Sequence, residues 1–257
     1  EKIGMDVVEF KRQNWIKVGE PMYLARKLGE GREGYDQSMN TSAMEQCVNI
    51  GLKATDYYAK RAAYEKQNGG VKRKGIGMAV VFHGSGIAGL DMASATLKMN
   101  DDGSFNLLIG ATDIGTGSDT ILAQIAAEVL SIPVEHIMVL SSDTDLTPFD
   151  VGAYASSTTY ISGEAVRKCA EEIKSQIISV AADMLGEDQD ALMLGRAEVR
   201  TIDGRAAVSY QDVACSSLYS QNQFQIQAGA SHVAHESPPP VIAQVAENEG
   251  DVRTGRI

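Results

Sequence analysis

Two short segments of this chain combine glycines and hydroxyl side chains in a way that suits the binding of an anion. Residues 110–117 read Gly-Ala-Thr-Asp-Ile-Gly-Thr-Gly, and residues 153–159 read Ala-Tyr-Ala-Ser-Ser-Thr-Thr. Each segment precedes a stretch with helical spacing of its apolar residues. The first turn of a helix has backbone N–H groups without intrahelical partners and a partial positive charge, which together attract anions. Both segments are therefore candidate anion sites that need no Lys or Arg.

Gly115 and Gly117 give the first segment the backbone freedom that a tight turn or a close ligand requires. Glycine adopts positive φ without strain and lets a ligand approach the main chain. Ser118 or Asp119 is the predicted N-cap of the helix that follows. The spacing lacks the third glycine of a dinucleotide fingerprint and the Gly-Lys-Ser/Thr of a phosphate loop. An ordinary turn and an anion site both remain open for this segment.

Four consecutive hydroxyl residues, 156–159, mark the second segment, ahead of a helix predicted to begin near Ile161. One hydroxyl is enough to cap a helix, so four of them indicate hydrogen bonds to another partner. A Ser/Thr-rich loop is the alternative. Gly163, close to the start of the helix, costs about 1 kcal/mol of helix propensity and indicates close packing or close approach of the backbone.

The cysteines and histidines form no legible catalytic or metal-binding set. Cys47, Cys169 and Cys215 are far apart and include no Cys-x-x-Cys pair, which argues against a disulfide framework and against a cysteine-held metal or iron–sulfur cluster. His232 and His235 have no third ligand nearby in the sequence. We therefore predict no metal ligand in this chain and expect a reducing, cytoplasmic location.

Composition places the chain among globular proteins of one large or two modest domains. It has 257 residues, of which 44% are hydrophobic and 22% charged. No apolar run approaches the roughly 20 residues that a membrane helix needs. The formal net charge of −11 argues against a nucleic-acid surface, which requires a basic patch to neutralise phosphates. We therefore expect neither nucleic acid nor a membrane as a partner.

The periodicities along the chain predict an α+β fold of mixed sheets with packed helices. Helical spacing is seen over residues 5–18, 42–66, 121–130 and 161–185. Strand-like runs are seen over residues 75–83, 93–99, 104–110, 136–141 and 241–247. Asn100-Asp101-Asp102-Gly103 predicts a hairpin between two of these strands. Residues 29–34 predict a loop rich in glycine and charge.

A domain boundary is predicted at the glycine-containing linker Gln67-Asn68-Gly69-Gly70. Residues 1–68 then form a helical domain, and residues 69–257 form a second domain. The chain starts without Met on a predicted helix and ends at Ile257 after a predicted turn. From these ends we expect a fragment or one piece of a split subunit.

In this order along the chain, the two segments resemble the molybdenum-binding subunit of the xanthine dehydrogenase/aldehyde oxidase family. The resemblance includes Ala-Gln-Ile-Ala-Ala-Glu at 123–128 and Tyr-Ala-Ser-Ser-Thr-Thr-Tyr-Ile-Ser-Gly-Glu-Ala-Val at 154–166. Residues 5–14 are similar to a Gly-x-[Asp/Asn]-Pro-x-Glu-x-Arg-x-x-Asn segment of the family, with Val7 in place of proline. The versions found here look closest to those of bacterial xanthine dehydrogenase or purine hydroxylase large subunits.

The resemblance implies that these segments hold the molybdenum cofactor, a pyranopterin dithiolene with a phosphate. Gln244, flanked by apolar residues in the last predicted strand, is also a buried-amide candidate. Met78 matches a position that faces substrate in the family, and Ala155 a position near the molybdenum. The positions implied to contact the cofactor are Ile114, Gly115, Thr116, Gly117, Ala155, Ser156, Thr158, Thr159 and Gln244.

The resemblance also implies hydroxylation of a purine such as hypoxanthine or xanthine, with water as the oxygen source. Iron–sulfur clusters and FAD are then expected on partner subunits or domains, along with the remaining segments of the molybdenum region. The family's catalytic glutamate, in a Gly-Val-Gly-Glu motif, has no counterpart here, so the chain alone is expected not to turn over substrate. Nicotinate, aldehydes or another N-heterocycle are alternative substrates, and a non-catalytic cofactor-binding or assembly subunit is the alternative role. Whether the cofactor carries a cytosine nucleotide is open.

Overall fold

A computed structural model of the chain describes residues 3–27, 37–67 and 69–257. The chain forms two compact units. The first unit comprises Glu1–Ser85 and Ser237–Ile257, and the second unit comprises Gly86–Glu236. The predicted loop at 29–34 lies outside the described residues. The predicted boundary near residue 68 concerns the family's domains and stays a prediction.

A long antiparallel ribbon organises the first unit. Strand β1 (Lys72–Phe82) pairs with the last strand, β9 (Val241–Asp251), in a register that runs from Lys72 opposite Asp251 to Phe82 opposite Val241. The helices of this unit are α1 (Val7–Asn14), α2 (Tyr23–Lys27), α3 (Met44–Ala54) and α4 (Tyr57–Gln67). The apolar cluster between ribbon and helices contains Val8, Val48, Leu52, Tyr57 and Met78.

The helix predicted over residues 42–66 is two helices. Helix α3 ends at Ala54, and Asp56 has a left-handed φ of 50° before α4 begins at Tyr57. A residue in the left-handed conformation ends a helix because it breaks the repeat of backbone dihedrals. Aspartate tolerates this conformation better than most residues, and the apolar spacing continues across the break, which is why the sequence pattern concealed it.

A four-stranded sheet is the centre of the second unit. Its strands are β2 (Met92–Met99), β3 (Phe105–Ile109), β4 (Ile137–Ser141) and β8 (Gln227–Val233), in the order β4-β3-β2-β8. Strands β2 and β3 form the predicted hairpin, with Gly103 at a φ of 81° in its turn. Strand β4 runs parallel to β3, whereas β8 is antiparallel to β2. The expected α+β class with mixed sheets is confirmed.

One face of this sheet is covered by helices. They are α5 (Ser118–Leu130) and α6 (Thr158–Leu185), and α7 (Tyr210–Tyr219) packs against α6. Helix α6 begins three residues earlier than the sequence predicts, so Thr158 and Thr159 belong to its first turn. The buried apolar cluster beneath the helices contains every second residue of β2 and β3 and the residues of α6 that face the sheet. Its fully buried members include Leu97, Phe105, Leu107, Ile109, Leu122, Val166 and Ile173.

Residues 186–236 hold elements that the sequence analysis did not predict. Strands β5 (Leu192–Gly195), β6 (Glu198–Thr201) and β7 (Ala207–Ser209) form a small antiparallel sheet. Strands of three or four residues are too short to show a period-2 pattern.

Within the described residues, no helix is both long and apolar enough to cross a membrane.

Helices α5 and α6 cross at Gly163. A Cβ atom at this position would lie 2.8 Å from Ile125 Cδ1 and 3.8 Å from Leu122 Cδ2. Gly163 is less than two turns from the first residue of α6, and Leu122 is about one turn from the first residue of α5. The close approach that the sequence predicted for this glycine is therefore confirmed, and the two helices cross within about their first two turns.

The crossing makes the stability of the second unit sensitive to side-chain volume at Gly163. We expect Gly163→Leu to lower the free energy of unfolding by about 1–3 kcal/mol, because the added atoms overpack the contact with Ile125. Urea unfolding measures the change. Ile125→Ala should cost less in the Gly163→Leu background than alone, since it removes the clashing atoms. Ser179→Leu, at an exposed position of the same helix, is the matched control. If Gly163→Leu and Ser179→Leu lowered the free energy of unfolding equally, the close contact of α5 with α6 at Gly163 would be contradicted.

Candidate cofactor-binding site

The first segment connects the end of β3 to the start of α5, and its own carboxylate fills the turn. Asp113 Oδ1 accepts hydrogen bonds from the backbone N–H of Gly115 at 2.9 Å and of Gly117 at 3.1 Å. These bonds, with that of Gly115 the strongest, hold the pKa of Asp113 below its usual value. The prediction that the segment offers free N–H groups is therefore wrong for these two glycines.

The N-cap of α5 also differs from the predicted one. Gly117 occupies the position, with a φ of 75°, and neither Ser118 nor Asp119 caps the helix with its side chain. Ser118 is 4% exposed, and its Oγ, like Asp119 Oδ1, is buried without a hydrogen-bond partner among the described residues. Asp119 Oδ2 accepts a hydrogen bond from Ser141 Oγ at 3.0 Å. The negative charge at this helix start is supplied by the protein itself.

The tip of the first segment is open, whereas its base is tightly packed. Ile114 is 67% exposed, and Gly115 and Thr116 are exposed as well. No described atom lies within 4 Å of where a Cβ would stand on Gly115 or Gly117. A Cβ on Gly110, by contrast, would lie 2.3 Å from the carbonyl oxygen of Pro148. A ligand can therefore approach the main chain at the tip while the base keeps the loop fixed.

The second segment contains two consecutive residues in the left-handed conformation. Ala155 has a φ of 49° and Ser156 a φ of 57°. A residue with a Cβ costs roughly 1–2 kcal/mol in this region, and such strain concentrates at functional sites. Ser156 is exposed and Ala155 partly exposed. The conformation folds the backbone immediately before α6.

The start of α6 has no side-chain cap. Ser157 is the N-cap, but its Oγ donates instead to the carbonyl oxygen of Gly152 at 3.3 Å. The first-turn N–H groups of Thr158, Thr159 and Tyr160 have no intrahelical acceptor because of where they stand in the helix. This helix start therefore keeps the donors and the partial positive charge that the start of α5 neutralises with Asp113.

Asp150 joins the two segments at their bases. A Cβ on Gly110 would lie 2.8 Å from Asp150 Cβ, which places the first segment's base against this residue. On either side of the second segment, Asp150 Oδ1 accepts from the N–H of Gly152 at 2.8 Å, and Oδ2 accepts from Ser162 Oγ at 2.7 Å. The bases of the two segments therefore lie against each other through Asp150, and the predicted site residues from Ile114 to Thr159 all belong to the second unit.

A second aspartate, Asp91, also supports the second segment. It is fully buried, accepts a hydrogen bond from the N–H of Ile87 at 2.7 Å and accepts another from the hydroxyl of Tyr154. The bond to Asp91 raises the pKa of Tyr154 to about 12. Sequence reasoning missed Asp91 and Asp150. The available signal was weak: each is a lone carboxylate beside apolar residues.

Gln244 and Met78, the remaining predicted site residues, lie in the first unit. Gln244 is exposed on β9, so the prediction of a buried amide is wrong. Met78 on β1 is only 9% exposed. It stands opposite Val245, whereas Gln244 stands opposite Ala79, so the two side chains point to opposite faces of the ribbon.

A pocket of about 690 Å³ adjoins Met78 in the first unit. It is lined by Met78, Tyr57, Phe10, Arg61 and residues of the segment 3–7. Arg61 is the cation in this lining, and its Nη1 donates to the hydroxyl of Tyr57 at 3.0 Å. The volume falls in the usual range of small-molecule pockets.

No group of three or more His, Cys, Asp or Glu suited to a metal ion occurs among the described residues.

The donors around the two segments suit a large anionic cofactor that brings its own metal. The exposed tip offers main chain without a Cβ, and the start of α6 offers N–H groups and hydroxyls. The model for the molybdopterin cofactor-binding domain matches residues 51–257. The chain belongs to this family.

Curated relatives of this family match almost the whole chain. Probable hypoxanthine oxidase XdhD of Escherichia coli (strain K12) is 32% identical over 259 residues, which cover all of this chain and 26% of that protein. The putative xanthine dehydrogenase molybdenum-binding subunit XdhA of the same strain is 32% identical over 92% of this chain and 31% of its own length. The chain thus spans about a quarter to a third of these relatives.

The fold also matches solved structures of molybdenum enzymes. A crystal structure of Cu,Mo-CO dehydrogenase superposes on 98% of this chain with a TM-score of 0.81, at 21% sequence identity. The aligned part is 33% of that chain. The fold of the molybdenum-binding region is therefore shared, as the resemblance predicted.

Asp113 gives the first segment a measurable pH dependence. Asp113→Asn should speed hydrogen exchange of the Gly115 and Gly117 amides by about tenfold at neutral pH, because a charge-assisted acceptor becomes a neutral one. The lowered pKa means that the stabilisation is present above the ordinary carboxyl pKa of about 3.9 and is lost as the pH falls through the lower folded value. As the pH falls, the exchange rates of the Gly115 and Gly117 amides in the wild-type protein, measured by NMR, should thus approach those of Asp113→Asn. Identical rates at neutral pH would show that the carboxylate does not hold the turn.

Proposed function

We propose that this chain forms half of the molybdenum-cofactor clamp of a hydroxylase that oxidises purines, with water as the oxygen source. The observation that carries the proposal is the uncapped start of α6, directly preceded by the left-handed pair Ala155–Ser156. Strained main chain ahead of a free helix start is a costly arrangement, which a bound anion would compensate. Membership of the cofactor-binding family supports this assignment.

The two segments have different roles in the proposed clamp. The start of α6, with the hydroxyls of Ser156, Thr158 and Thr159, binds the anionic phosphate of the cofactor. The tip of the first segment contacts the cofactor through Ile114, Gly115, Thr116 and Gly117 without adding positive charge, since Asp113 already neutralises the start of α5. Once bound, the cofactor supplies the redox chemistry of the hydroxylation. The residues of this chain bind and orient it.

Purines are the proposed substrates because two relatives at 32% identity are named for hypoxanthine and xanthine. Met78 and its pocket in the first unit are the proposed contribution of this chain to substrate contact. Gln244 is proposed as a further cofactor contact, which its exposure permits. Iron–sulfur and FAD subunits are the proposed partners. The proposed location is the cytoplasm. The cofactor is proposed to be either the simple form or the cytosine dinucleotide form.

Charge at position 156 tests the clamp. Ser156→Asp should lower the molybdenum and pterin content of the purified protein by at least about tenfold, because a carboxylate at the helix start repels an anionic ligand. Aspartate favours a helix start and tolerates a left-handed φ, so the fold of the variant should be as stable as that of wild type.

Ser156→Asn is the matched control, since asparagine has the same shape and the same backbone tolerance without the charge. It should retain most of the cofactor, as measured by metal analysis and pterin fluorescence. Loss of cofactor to the same extent in both variants would mean that shape, and not charge, governs the site. Full occupancy in Ser156→Asp would remove the start of α6 from the clamp.

Substrate choice requires the protein purified with the subunits that accompany it in its cells. We expect hydroxylation of hypoxanthine or xanthine with kcat/KM at least about tenfold above that for nicotinate or an aromatic aldehyde. The Ser156→Asp preparation, depleted of cofactor, is the blank. Preference for an aldehyde or for nicotinate would reassign the substrate. A cofactor-loaded complex without any hydroxylase activity would favour the non-catalytic role.

A further inference from the structure

We propose that Asp91 is a positioning residue for the cofactor, which acts through Tyr154 to hold the left-handed pair Ala155–Ser156 in its binding conformation. The inference rests on the proposed function, because it assigns a purpose to that conformation. It concerns a buried carboxylate that has no place in the resemblance on which the site residues were predicted. All four residues lie in the second unit.

Asp91 is a costly residue at its position. Its side chain is fully buried, and a buried carboxylate loses several kcal/mol of solvation unless donors replace the water. The donors that the described residues supply are the N–H of Ile87, at 2.7 Å from Oδ2, and the hydroxyl of Tyr154, bonded to Oδ1. Both are neutral. Of the two, the bond to Tyr154 connects Asp91 to a different segment of the chain.

Tyr154 is held by its hydroxyl more than by burial of its ring. The residue is 45% exposed, so apolar packing alone does not fix its orientation. Its phenol is bonded to Asp91, and this bond strongly favours the protonated phenol, in keeping with a pKa raised to about 12. Hydrogen bonds to a charged acceptor are about twice as strong as neutral ones. The hydroxyl therefore fixes the side chain one residue ahead of the strained pair.

A second contact from the same turn reaches the strained pair directly. The N–H of Gly86 donates to the carbonyl oxygen of Ala155 at 2.7 Å. A Cβ on Gly86 would lie 2.5 Å from Ile161 Cδ1, and its φ is 79°, so the turn fits closely against the start of α6. The N–H of Asp91 closes the turn by donating to the carbonyl oxygen of Ile87 at 3.1 Å. The turn thus holds the second segment through both a side chain and the main chain.

Another carboxylate holds residues on both sides of the segment. Asp150 accepts from the N–H of Gly152 and from Ser162 Oγ. Between these supports, the N–H of Ser157 donates to the carbonyl oxygen of Tyr154 at 3.0 Å. Two left-handed residues with side chains persist only where the surroundings fix them. Removing the Asp91–Tyr154 bond should let Ala155 and Ser156 relax, which would lower their complementarity to a ligand while the helices stay folded.

Tyr154→Phe, Asp91→Ala and Asp91→Asn test this inference in the protein purified with its own subunits. Tyr154→Phe should retain the circular dichroism of wild type but hold about tenfold less molybdenum and pterin after extended dialysis, because it loses one charge-assisted hydrogen bond. Asp91→Ala should show at least the same loss. Asp91→Asn should recover most of the cofactor, since an amide can accept from Ile87 and donate to the tyrosine oxygen.

Tyr219→Phe is the matched control, because Tyr219 also places its hydroxyl near an aspartate, Asp101 Oδ2 at 3.5 Å, but outside the site. It should hold as much cofactor as wild type. Wild-type cofactor content in Tyr154→Phe would overturn the inference, as would a lowered unfolding midpoint with full cofactor content, which indicates a structural role only. If Asp91→Ala fails to fold, Tyr154→Phe decides. A wild-type complex without molybdenum or pterin would instead overturn the proposed function, and this inference with it.

Discussion

Burial of one face of α6 is the constraint on which the second unit depends. Twelve of its 28 residues are buried, and they recur at the spacing of a single stripe that packs on β2, on β8 and against α5. Cys169 belongs to this stripe: its thiol donates to the carbonyl oxygen of Ala228 at 3.1 Å, and burial raises its pKa to about 11. The packing of the stripe fixes where the helix begins, and therefore where its free N–H groups point.

The two helix starts solve the same electrostatic problem in opposite ways. Each has unpaired N–H groups and a partial positive charge. At α5 the chain supplies the compensating charge itself, through Asp113. At α6 the hydroxyl of the N-cap residue Ser157 donates to the carbonyl oxygen of Gly152, so the first-turn N–H groups have no side-chain cap. In a protein with a net charge of −11, a helix start without a side-chain cap is a selective place for an anion.

The elements with long, regular patterns could be predicted from the sequence. The hairpin at residues 100–103, α5, α6 and β1 follow from turn residues and periodicity, and Gly163 correctly indicated a close contact. The two segments in their order, with the stretches around them, carried the resemblance that predicted the family, and the match to the family model confirms it.

Features that depend on tertiary context could not be predicted. The bonds from Asp113 to the N–H groups of its own turn are an exception, because they are local Asx-type contacts that the sequence analysis did not weigh against free N–H groups. The buried role of Asp91 depends on a hydroxyl 63 residues away. The exposure of Gln244 depends on which face of β9 meets the helices. For Asp91 and Gln244 the sequence supplied the residue type, and the fold decided its surroundings.

We propose that the start of α6, and not that of α5, holds the anionic group of the cofactor. A crystal structure of the complex purified with its molybdenum cofactor would locate this group. We expect phosphate oxygens within hydrogen-bond distance of the N–H groups of Thr159 or Tyr160, with Asp113 still bonded to Gly115 and Gly117. A phosphate bound at Gly115 and Gly117, with Asp113 displaced from the turn, would contradict it.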